Sequence, residues 1–117
     1  MTFSLVIAAE ARTDIRDILA WSQARFGDAV REGYEELIFV AISAIAEDPT
    51  RIGAHARPEL GQTVQSWHLA LSRDHVDTDV HRIVSPRHFV IYRQVGDKVH
   101  ILRVLHEAMS LHDHRIS

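Results

Sequence analysis

The sequence predicts an α+β domain: an N-terminal strand, a helical hairpin, then a three- to four-stranded, mainly antiparallel sheet. Three observations carry that reading. Two stretches of helical period lie between Glu10 and Glu47, separated by Gly27-Asp28. Two apolar runs, His88–Gln94 and Val99–Leu105, flank Val95-Gly96-Asp97-Lys98, which reads as a hairpin turn. The chain has 117 residues, 46% of them hydrophobic, enough for one modest core, so residues 1–117 are taken as a single domain.

Phe3–Ala8 is short, apolar and partly β-branched, and reads as the first strand. From about Glu10 to Phe26, Ala11, Ile15, Ile18, Leu19, Ser22 and Phe26 fall in one stripe at steps of three and four. Asp14 and Asp17 lie toward its start and Arg25 near its end, the order a helix dipole favours. Gly27 is a good terminator and Asp28 a good cap for the next helix. That second helix runs from about Ala29 to Glu47, with Val30, Tyr34, Leu37, Ile38, Ala41 and Ile45 as its core stripe and Phe39 on the opposite side. Asp48-Pro49 ends it, because the residue before proline is pushed out of the helical region. Residues 50–62 read as a loop. From Val64 or Ser66 to Ser72, Trp67, Leu69 and Leu71 alternate with His68 and Ala70, which predicts a strand with one wet side. Val80–Val84 could form a further short strand. Residues 106–117 are expected to be a short helix or turn with a polar tail.

Charge is unevenly placed. The net charge is -3. Residues 1–50 carry four Arg against nine Asp/Glu; residues 51–117 carry nine Lys/Arg against seven Asp/Glu, and all nine His. That asymmetry puts the expected working face in the second half. There is no cysteine, which excludes thiolate chemistry and a disulfide framework. No signal peptide or membrane-length apolar run is seen, so a cytoplasmic protein without membrane contact is expected. The acidic balance argues against direct nucleic-acid binding.

Arg103 interrupts an otherwise apolar strand, where an unpaired guanidinium is costly, so it should point to a groove or a partner. Arg93, on the strand paired with it, should lie close by, with Arg57 and Arg73 from nearby loops. A polar groove around Arg93 and Arg103, with Arg57, Arg73, Arg82 and Arg87 nearby, would suit an acidic segment or a phosphate, and ordinary surface and structural arginine is the equal alternative. His112 and His114 have zinc-compatible spacing but are read as a solvated tail, and Asp74, Asp77 and Asp79 lack the Gly and terminal Glu of a calcium loop, so no metal is expected. No nucleophile elbow, phosphate-binding loop or paired-carboxylate motif is present, and no cofactor is expected.

Several stretches together resemble the ParE toxins of the ParE/RelE superfamily, the toxin halves of type II toxin–antitoxin systems. They are Ala9–Ile18, Phe26-Gly27 with Asp28-Ala29, Asp48-Pro49, Arg57-Pro58-Glu59-Leu60-Gly61, His88-Phe89-Val90-Ile91-Tyr92-Arg93 and, most specifically, Ile101-Leu102-Arg103-Val104-Leu105-His106-Glu107-Ala108-Met109. The resemblance spans almost the whole chain. It implies a RelE/ParE-like fold and a cytoplasmic, plasmid-stabilization type of toxin, neutralised by a ParD-like antitoxin whose C-terminal segment wraps it, with Arg57, Arg73, Arg93, Arg103, His106 and Met109 as the expected antitoxin- or target-binding groove. A homodimer and a toxin–antitoxin heterotetramer are both compatible assemblies.

ParE-type members are similar in poisoning DNA gyrase without being enzymes; RelE-type members cleave mRNA on the ribosome, using clustered Lys and Arg with a Tyr or His. Lys98 is the sole lysine here, and Tyr34 and Tyr92 the sole tyrosines, so the gyrase-inhibiting type is favoured and no catalytic residue is expected. The alternatives are a ribosome-dependent endoribonuclease, in which His106, Arg103 and Arg93 would act, and an inactive interaction module of the same fold. The stretch Arg73–Pro86 is longer than the resemblance leads one to expect, which predicts an extended or reshaped hairpin.

Overall fold

A computed structural model describes residues 2–109 and His114. Strand β1 (Ser4–Ile7) leads through a single residue into helix α1 (Ala9–Phe26), and α2 (Asp28–Glu47) follows directly. Gly27 between them has φ 92°, a region that side chains resist, so the tight reversal depends on glycine there. Asp28 is the first residue of α2 rather than its cap; its carboxylate instead accepts a hydrogen bond from Gln23 Nε2 (2.7 Å), tying the two helices at the turn.

The sheet has five strands in the order β1-β5-β4-β3-β2. One of them is β2 (His55–Ala56), inside what the sequence suggested was all loop. It pairs antiparallel with β3 (Val64–His68), β3 with β4 (His88–Val95), and β4 with β5 (Lys98–His106). β1 lies parallel to β5, so the sheet is mixed. The β4–β5 hairpin turns at Gly96, φ 61°.

The two helices cover one sheet face. Leu37, Ile38, Ala41 and Ile45 of α2 pack with Trp67, Val90, Tyr92, Val99 and Ile101. Tyr92 is wholly buried and donates its hydroxyl to Pro49 O (2.5 Å), which ties the end of α2 to the sheet. Burial pushes its pKa up to about 12. On the other face a smaller cluster, Leu60, Val64, Ile91 and Leu105, is closed by the 57–62 turn rather than left bare.

Two sequence expectations are corrected. The strand expected to run to Ser72 stops at His68 and becomes a 3-10 helix, Leu69–His75. His68 Nδ1 accepts the Ala70 N–H (3.0 Å) and Trp67 Nε1 donates to Ser72 Oγ (3.0 Å); both bonds need the chain to curl back at once. Leu71 is therefore 46% exposed instead of sharing the face of Trp67. Val80–Val84 is not a strand: residues 76–87 form an unpaired strap across α2. Of the short helix or turn expected from residue 106 onward, the described part is a turn through Met109; its remainder, and the tail apart from His114, lie outside the described residues. Phe39 is 64% exposed, where the helical stripe placed it.

Candidate functional site: an apolar groove beside a histidine relay

The six residues expected to share one groove occupy several places. Arg103 is the clearest correction. Beyond Ile7↔Ile101 strand β1 ends and leaves the outer edge of β5 without a strand partner. Asp14 of α1 fills that edge: its carboxylate accepts Val104 N–H (2.9 Å), Arg103 Nε (2.7 Å) and Arg103 Nη2 (3.0 Å). A register shift opposite Ile91 and Tyr92 accompanies the pairing, because Ile91 faces Arg103 while Tyr92 faces Ile101. The Arg103 side chain, 28% exposed, thus finds its partner inside the chain, and the hydrogen bonds to Asp14 raise its pKa further. Sequence carried a signal for Asp14. It falls three residues after Ala11 and four before Ile18, within the stripe that packs inward.

Arg57 and Arg93 lie on the sheet face away from the helices. Arg57 donates to Ser66 Oγ (2.8 Å), stacks 5.2 Å over Phe89 and lies 3.9 Å from Glu59. Arg93 donates to Gln62 O (3.1 Å). Arg73 donates to Val84 O (3.0 Å) and anchors the strap. Only His106 and Met109, of the six, meet in one concavity.

That concavity is a groove of about 710 Å³ between α1, α2, the strap and the ends of β4 and β5. Its walls include Ile18, Trp21, Phe26, Tyr34, Ile83, His88, His106 and Met109. Trp21, Phe26 and Met109 are 55%, 59% and 46% exposed, a contiguous apolar surface of the kind that marks an interaction site. Trp21 and Phe26 meet edge to face at 5.6 Å, and Arg25 sits 5.7 Å from the indole centroid. The aromatic wall comes from the acidic first half, not from the His-rich second half where the working face was expected. Its signal was Trp21, three residues after Ile18 on the edge of the α1 stripe.

The floor of the groove is polar and satisfied. Tyr34 hydroxyl accepts Arg87 N–H (3.2 Å) and bonds His88 Nδ1 (2.6 Å), and the His88 and His106 rings meet at 5.1 Å, nearly perpendicular. Burial lowers the His88 pKa to about 4, with His106 adding to the effect, so His88 is neutral near pH 7. Burial likewise raises the Tyr34 pKa. His106 Nδ1 accepts Ala108 N–H (3.0 Å), which puts its proton on Nε2 when neutral. Beside this relay, Glu107 joins His68 Nε2 (2.8 Å) to Arg87 Nη1 (3.2 Å); the His68 bond holds the Glu107 carboxyl below its usual range. Among the described residues no group of three or more His, Asp or Glu could hold a metal ion.

Comparison with known proteins agrees with the geometry. A family model for the ParE toxin of the type II toxin–antitoxin system, parDE, matches residues 5–111. Toxin ParE1 of Caulobacter vibrioides is 29% identical over 108 residues, which cover 92% of this chain and 93% of that protein. A solved structure of a chromosomal ParDE system from P. aeruginosa has a similar fold, with TM-score 0.63 and 15% identity over 90% of this chain and 96% of that one. The RelBE2 toxin–antitoxin complex from Mycobacterium tuberculosis has a chain of related fold, with TM-score 0.51 and 19% identity over 91% of this chain and 99% of that one.

Proposed function

This chain belongs to the ParE toxin family of type II toxin–antitoxin systems, and from that premise we propose that it inhibits DNA gyrase in the cytoplasm and is silenced by a ParD-like antitoxin segment seated in the Trp21–Phe26–Met109 groove. The observation that carries the groove reading is the exposure of those three side chains around one 710 Å³ concavity. An amphipathic helix with an apolar stripe suits such walls, since its anchors recur on one face at steps of three and four. Tryptophan is also the residue type that most often dominates an interface, so Trp21→Ala is expected to cost about 2 kcal/mol or more of antitoxin affinity.

A binding toxin rather than a nuclease is supported by where the cations are spent. Arg57, Arg82, Arg87 and Arg103 each pair with a carboxylate, on Glu59, Asp74, Glu107 and Asp14. Cleavage of a phosphodiester needs cations held toward the scissile phosphate, and these four face carboxylates of their own chain. The test is a supercoiling assay with purified toxin and gyrase. Micromolar toxin is expected to block supercoiling and added antitoxin to restore it; gyrase untouched at that concentration overturns the target.

One observation favours a second reading, mRNA cleavage on the ribosome: the Tyr34–His88–His106 relay opens into the same groove. It predicts codon-phased cuts by primer extension on translated message, lost in His106→Ala. Intact message after induction rules it out.

A further inference from the structure

We infer that the strap of residues 76–87 selects which antitoxin the groove accepts, by forming its aliphatic wall at a position fixed by Gly33; this rests on the groove being the antitoxin seat. The strap makes no strand pairing, yet its second half is tied down at three points. Arg82 reaches Asp74 (2.6 Å), Arg73 holds Val84 O (3.0 Å), and Arg87 N–H bonds the Tyr34 hydroxyl (3.2 Å). Just ahead of those ties, at His81, it crosses α2 at Gly33. A Cβ added there would lie 2.1 Å from His81 O and 3.3 Å from Ile83 Cδ1, so backbone meets backbone and only glycine admits the crossing.

Past that crossing, the strap becomes groove wall. Ile83 packs on the core and also lines the groove, with Ser85 and Arg87 next along it. The facing wall, Trp21 and Phe26 on α1, is aromatic and belongs to a helix fixed by its own core stripe. The two walls therefore have separate supports. α1 supplies a broad aromatic surface that any apolar helix can contact. The strap supplies an edge whose side chains are carried by irregular backbone, and irregular segments accept substitution without disturbing ladder or helix bonds. Discrimination needs such an element, because a specific interface rejects wrong partners through local clashes and unpaired groups as well as by attraction. The occupant is the apolar stripe of the cognate antitoxin's toxin-binding segment, and the strap reads the width of that stripe.

The test uses the full-length toxin and purified antitoxins: the one encoded in the adjacent reading frame and those that partner the Caulobacter and Pseudomonas relatives. Affinity for each is measured by calorimetry for wild type, Ile83→Val, Ser85→Phe, Gly33→Ala and Trp21→Ala. Strap variants Ile83→Val and Ser85→Phe are expected to change the ratio of cognate to non-cognate affinity tenfold or more. Gly33→Ala should do the same if it folds, and Ser85→Phe decides the matter if it does not. Trp21→Ala should weaken all antitoxins by a similar factor. Strap variants that leave the ratio within threefold overturn the inference while the groove stands. An unchanged affinity for every antitoxin in Trp21→Ala overturns the groove reading itself.

Discussion

Substituting Asp14→Ala strips three hydrogen bonds from one spot: two to the Arg103 guanidinium and one to Val104 N–H. Each is charge-assisted, and such bonds contribute about 1.5–3 kcal/mol apiece in isolation. They share one carboxylate, and the Arg103 side chain is 28% exposed, so water takes over part of the loss. The expected cost is about 3 kcal/mol, which lowers the melting temperature by roughly 4 °C per kcal/mol, about 12 °C in all. Asp14→Asn keeps an oxygen for Val104 N–H and should cost about half as much. Arg103→Met leaves the Val104 bond intact and should cost about 1–2 kcal/mol, since it strands a carboxylate that is 15% exposed. Urea denaturation of the two single variants and the double variant gives a coupling of about 1–2 kcal/mol if the pair is structural. The reasoning is refuted if Asp14→Ala unfolds within about 0.5 kcal/mol of wild type, the scatter of an ordinary surface change. It is refuted equally if Arg103→Met leaves stability unchanged but weakens antitoxin binding tenfold, which would make that arginine a partner contact.

The relay gives two further predictions. Tyr34→Phe removes both the acceptor for Arg87 N–H and the partner of His88 Nδ1 at a half-buried site, and should cost about 1–2 kcal/mol by chemical denaturation. His88 has a folded pKa of about 4 against an ordinary 6.5, so the unfolded chain takes its proton first as pH falls. The stability tied to the neutral ring is complete above pH 6.5, declines between 6.5 and 4, and levels off below. The change amounts to about 2 kcal/mol once reduced for the part of the ring that meets solvent. His88→Gln should flatten stability against pH across that window; an unchanged slope would show that the ring is charged or solvated in the native state.

Residue pattern alone determined the succession of β1, the helical hairpin, β3 and the β4–β5 hairpin, because those features are written in local period and in turn residues. The α2 stripe Leu37, Ile38, Ala41, Ile45 and the Gly96 turn stand where the spacing put them. The resemblance carried by Ile101–Met109 also pointed to the family to which the chain belongs. Local pattern could not reach the pairings that decide each side chain's role. Arg103 was legible as an arginine needing a partner, yet the partner is Asp14, 89 residues away on a helix that fills the edge left where β1 stops. The curl after His68 depends on two bonds, His68 with Ala70 and Trp67 with Ser72, that an alternating apolar pattern does not reveal. The groove is assembled from Trp21, Tyr34, Ile83, His106 and Met109, drawn from both halves of the chain. Charge counted along the sequence favoured the second half alone, because composition records which groups a chain carries and not which of them folding brings face to face.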